Sequence, residues 1–86
     1  MKERWDEIRD SIRKEYDLSD ISFNTWIAPL KLYNVENDIV TILIPSDQGH
    51  ALNYITSKYK SFFQVTISEM FNHTYDISFI LEKDVL

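Results

Sequence analysis

An 86-residue chain with a formal net charge of −5 and no cysteine has room for one domain, spanning residues 1–86, and none for a disulfide or a thiolate metal site. Nine Lys and Arg stand against fourteen Asp and Glu, the reverse of the surplus that grips a phosphate backbone, which argues against strong duplex-DNA binding and leaves at most weak single-strand contact. Hydrophobic residues at 44% suit a packed core, and neither a signal segment nor a bilayer-length apolar run occurs, so the chain is expected to be cytoplasmic, with no membrane contact.

Trp5, Ile8, Ile12 and Tyr16 recur at helical spacing with charged residues between them, which predicts a first amphipathic helix over roughly residues 2–16. Asp17 to Asp20 is turn chemistry that also caps a second helix. Phe23, Trp26, Ile27 and Leu30 fall at i, i+3, i+4 and i+7, so this second, short helix starts near Ser19. Pro29 ends it by about Ala28, because proline disfavours helical geometry in the residue before it. Leu30 to Val35 and Ile39 to Ile44 frame the polar triplet Glu36-Asn37-Asp38, the pattern of a hairpin closed at its far end by Pro45. Asp47 is expected to cap a third helix whose stripe runs Leu52, Ile55, Tyr59, Phe62, Thr66 and Met70, widened by Ala51, Phe63 and Ile67, to about Asn72. Tyr75 to Leu81 sets Ile77, Phe79 and Leu81 on one face of a last strand. The order ααββαβ predicts an α+β fold, with a three-stranded sheet covered on one face by helices.

No catalytic constellation emerges, and neither an enzyme nor a cofactor is expected. His50 and His73 stand apart at predicted helix ends, without metal-ligand spacing. Asp6, Glu7 and Asp10 alternate with Arg4, Arg9 and Arg13, as on a solvated helix face. The single glycine, Gly49, rules out a GxGxxG or GxxG phosphate loop. The aromatics remain. Trp5 and Trp26 each admit two readings, core packing or an incompletely covered ring at a protein interface. Lys58, Tyr59 and Lys60 form either a solvated helix face or a small basic-aromatic patch for single-stranded nucleic acid.

The run Ser22-Phe23-Asn24-Thr25-Trp26-Ile27-Ala28-Pro29-Leu30 resembles the second helix of the amino-terminal domain of the bacterial replication initiator DnaA. The resemblance extends to the early Trp5, to a hairpin ending in Pro45-Ser46-Asp47, to the Lys58-Tyr59 pair and to the closing ISFIL strand, and so covers nearly the whole chain. It implies a KH-like fold without the GxxG loop, acting as a docking hub. The implied roles are self-association, docking of the replicative helicase and binding of initiation regulators, with weak affinity for single-stranded DNA. By the same resemblance, Trp5 serves self-association in a weak homodimer, and Ser22, Thr25, Trp26, Ser46, Gln48 and Gly49 meet partners. Two positions depart from the family pattern: Ser22 stands where an acidic residue faces the helicase, and Gln48 where a Phe is usual. Either an excised domain or a free-standing regulator that pairs with the full-length initiator fits the resemblance.

Overall fold

In the computed structural model, which describes residues 1–85, a 3₁₀ turn at Lys2–Arg4 runs into helix α1, Trp5–Glu15. Helix α2, Asp20–Ser22, continues as a π-helical turn over Phe23–Ile27. Strands β1, Lys31–Glu36, and β2, Ile39–Ile44, form a hairpin. A 3₁₀ segment, Ser46–Ala51, leads into helix α3, Leu52–Phe71. Strand β3, Asp76–Leu81, precedes a last 3₁₀ turn at Glu82–Asp84. The expected α+β order is the observed one. Among the described residues, no helix is long and apolar enough to cross a membrane.

The sheet order is β1-β2-β3, with β1 antiparallel and β3 parallel to β2. The parallel pair follows from the 20-residue crossover helix α3, since a parallel connection needs a long return path. Along β2, Val40, Ile42 and Ile44 are fully buried in the core on one face, whereas on the other Ile39 is exposed, Thr41 half-buried and Leu43 buried. Ile77 and Phe79 of β3 join the same core, with Leu81 packed against it, as their alternation predicts. Ile8 and Ile12 of α1 and Ile55, Tyr59, Phe63 and Ile67 of α3 complete it from above. Stacking of Tyr16 on Phe62, with ring centroids 3.8 Å apart, adds to the α1–α3 contact.

The hairpin turn is tighter than its polar triplet suggests. Glu36 pairs with Ile39, leaving only Asn37 and Asp38 in the loop, both at positive φ (53° and 63°). Two left-handed residues make the turn whose twist matches the flanking strands. Asn72, at φ 49°, ends α3 in the same conformation. A bulge at Tyr33 interrupts the β1–β2 register between Leu32 and Asn34.

Two local expectations are corrected. Asp47 does not cap α3: it lies in the first turn of the 3₁₀ segment, and the residue before α3 is Ala51, whose side chain caps nothing. The φ/ψ of Gln48 breaks this stretch, so the chain enters α3 through a kink, out of reach of Asp47. Secondly, Ala28 keeps helical angles (φ −57°, ψ −36°) although it precedes Pro29. The helix stops because Pro29 lacks an N–H to continue the ladder, and not because Ala28 leaves the helical region. At the other end of α2, Ser19 behaves as expected, its Oγ accepting from the Ser22 N–H at 3.1 Å.

The turn yields a stability test. Asn37→Val, which places a β-branched residue at positive φ, should cost about 1–2 kcal/mol, whereas Asn37→Gly should leave stability equal or higher. Urea denaturation of the two variants checks this.

Candidate functional site

The residues singled out in the sequence divide into a buried set and a surface set. Trp5 belongs to the first. It is 8% exposed, its ring stacks on Phe63 at 5.7 Å, and its indole N–H donates to the Leu30 carbonyl at 2.9 Å. Of the two readings of Trp5, the structure shows the core ring, because Leu30 O and Phe63 satisfy both its polar and its apolar parts. Only its edge lines an open groove of about 550 Å³ between the start of α1 and the segment Ala28–Leu32, flanked by Lys2, Arg9 and Lys31. Arg9 reaches across to donate to the Ala28 carbonyl while its other terminal nitrogen pairs with Asp6.

The basic-aromatic triplet also comes apart. Tyr59 is fully buried, so its ring has no face for a base to stack on, and neither a solvated helix face nor a basic-aromatic patch includes it. Lys60 turns toward Asp76, 3.7 Å away. Lys58 stays outside: its Nζ donates to the Tyr54 hydroxyl at 3.1 Å and lies 5.5 Å and 5.6 Å from the Tyr54 and Tyr59 ring centroids. The hydrogen bond from Lys58 to Tyr54, then the adjoining tyrosines, hold its ammonium above the usual lysine value. Burial raises the Tyr59 phenol above its usual 10; its hydroxyl is enclosed without a hydrogen-bond partner.

The resemblance-implied partner residues assemble only in part. Thr25 is exposed and Trp26 half-buried; in the π turn, closed by the Ala28 N–H on the Phe23 carbonyl at 2.9 Å, Ile27 is fully buried while Phe23 and Trp26 pack against the core only in part. The Gln48 amide donates to the Thr25 carbonyl at 2.9 Å, which ties the 3₁₀ segment to the π turn. The Trp26 ring meets Tyr54 of α3 at 5.2 Å, tilted by 54°. Thr25, Trp26 and Gln48 thus form one face, and Tyr54 and Lys58, which helical spacing alone did not single out together with Trp26, extend it. Ile21, 80% exposed, projects from the same short helix. Ser22 is half-buried at the start of the turn.

Ser46 and Gly49 also make contacts within the fold. The Ser46 hydroxyl, on an exposed residue, accepts from the Lys83 N–H at 2.9 Å and so anchors the last 3₁₀ turn. A Cβ at Gly49 would stand 3.4 Å from Leu81 Cδ1, an ordinary van der Waals contact. His73 contacts Asp38 across 2.8 Å on the surface, away from this face, and joins the hairpin turn to the α3–β3 connection.

Known proteins point the same way. The profile of the DnaA N-terminal domain family matches residues 2–69. The chromosomal replication initiator protein DnaA of Lachnoclostridium phytofermentans is 30% identical over 83 residues, covering 94% of this chain and 18% of that protein. Its counterpart from Geotalea daltonii is 33% identical over 84 residues, covering 96% of this chain and 18% of the relative. That of Leptospira biflexa is 27% identical over 81 residues. The chain thus spans about a fifth of the length of the relatives it matches.

The buried set generates two tests. Trp5→Phe, which removes the indole N–H from Leu30 O, should cost about 1–2 kcal/mol, and Trp5→Ala about 3–5 kcal/mol, both measurable by urea denaturation. Stability should hold through neutral pH and fall as pH rises above about 10. There the unfolded chain ionises its tyrosines while the fold keeps the raised Tyr59 and Tyr16 protonated. Tyr59→Phe should shallow that alkaline fall, as followed by the urea midpoint at successive pH values.

Proposed function

The chain belongs to the DnaA N-terminal domain family, and on that premise we propose that it is a non-catalytic docking domain acting in bacterial DNA replication initiation. The observation that carries this reading is the surface joined by Gln48 and the Trp26–Tyr54 contact. It is a set of large rings left half-exposed on rigid elements, the composition from which interface hot spots are built. The partners are protein: the initiator itself, the replicative helicase or initiation regulators. Thr25, Trp26 and Gln48 meet them directly, with Ser22 at the margin. Neutral Ser22 weighs against a helicase contact that depends on charge at this position.

Self-association in a weak homodimer belongs to the groove beside α1 rather than to the Trp5 ring, whose buried faces are already occupied by Phe63 and Leu30. Trp5 holds that groove's wall in position. Single-stranded nucleic acid is the lesser reading, since Lys58 is the one member of its triplet left both exposed and unpaired among the described residues.

The test is affinity capture from cells of the source organism with the wild-type chain, Thr25→Arg and Trp26→Ala, each checked for folding by circular dichroism. Wild type should recover replication proteins, and both variants should lower recovery about tenfold or more. Recovery of no replication protein by wild type, or equal recovery by all three, would count against the reading.

A further inference from the structure

Six of the nine basic residues have a carboxylate within ion-pair distance: Arg4, Arg9, Arg13, Lys14, Lys31 and Lys60. Lys58 has none among the described residues, although the chain carries fourteen acidic groups. Lys2 and Lys83, the other two without one among the described residues, lie near the two chain ends. What Lys58 has instead is a rigid aromatic setting. The Tyr54 hydroxyl accepts its hydrogen bond at 3.1 Å, and the Tyr59 ring centroid lies 5.6 Å from its ammonium. Because that hydroxyl accepts from Lys58, its own hydrogen is free to donate outward. Two donors, one of them charged, therefore converge beside the Trp26–Tyr54 contact, with no carboxylate of the described residues paired to the ammonium.

We infer that Lys58 and Tyr54 form a carboxylate-binding subsite of the docking face, and that the partner is a protein segment presenting an Asp or Glu beside an apolar side chain. The apolar side chain lies on Trp26 and Tyr54, while the carboxylate takes an N–H from Lys58 and the O–H from Tyr54. This rests on the docking role proposed above and adds the chemistry of the docked segment. Charge complementarity identifies the occupant: an isolated, preorganised cation on a surface of net charge −5 selects for a local negative group while the rest of the chain repels it. A nucleic-acid strand fits less well. It needs several cations along its backbone and open rings for its bases, whereas Lys60 is engaged by Asp76 and Tyr59 is buried.

The experiment selects a randomised dodecamer phage library on the full chain, discards peptides that also bind Trp26→Ala, and measures the remainder by fluorescence anisotropy. The same chain is titrated with the oligonucleotide dT12. The expected result is enrichment of Asp or Glu next to an apolar residue. Affinity should fall about tenfold or more in Lys58→Glu, severalfold in Lys58→Met and in Tyr54→Phe, and not in Lys60→Met. Non-specific attraction to an acidic chain would enrich basic peptides instead, so acidic winners cannot arise that way. Trp26-dependent peptides without acidic enrichment, or indifferent to Lys58→Glu, would overturn the subsite and leave the docking role standing. Failure to find any Trp26-dependent peptide would overturn both. Binding of dT12 that is lost in Lys58→Glu, without acidic peptides, would overturn the subsite in favour of nucleic acid.

Discussion

The exit of α2 is the point on which the rest of the fold depends. Pro29 interrupts the ladder and leaves the carbonyls around it without intrahelical donors. Helix α1 supplies them, with Arg9 donating to Ala28 O and the Trp5 indole to Leu30 O. These bonds join residues 19 and 25 positions apart and seat α1 over the turn that feeds β1. Because Trp5 also stacks on Phe63, the same side chain links α1, the α2 exit and α3. A buried carbonyl without a donor is costly, so the position of α1 relative to the sheet follows from satisfying it.

That clamp also sets which rings face outward. With Ile27 and Leu30 held in the core, the wider π turn leaves Trp26 at the surface, where Tyr54 of α3 supports it. Gln48 closes the arrangement by bonding the Thr25 carbonyl. Rings on such short elements would be loose without these ties, and here Trp26 is held by a second element. In this member of the DnaA N-terminal domain family, the Gln48 hydrogen bond braces the Thr25 carbonyl.

Much of the fold was legible in the chain because periodicity reports burial. The stripe from Leu52 to Met70 and the alternation Ile77-Phe79-Leu81 each recorded a real buried face. Asn37 and Asp38 are residues that accept positive φ, and the turn formed where they stand. Asp47 misled because capping chemistry is local and common, whereas its use depends on whether the backbone enters the helix directly. Here a kink at Gln48 intervenes. Tyr59 appeared both in a core stripe and in a surface patch, and spacing alone could not rank two neighbours of opposite chemistry, Lys58 and Tyr59, for exposure.

The helices, the strands, their order and the absence of thiol chemistry were all written in the amino-acid sequence, since these depend on propensity, period and composition over neighbouring residues. Tertiary packing was needed to establish that Trp5 is a core ring, that the Ser46 hydroxyl holds the Lys83 N–H, and that Tyr54 and Lys58 stand beside Trp26. Each of these depends on a contact between different elements, distant in the chain, where the partner's identity is invisible to any local pattern. Exposure is a property of the whole packed chain, and function at a surface is read from exposure.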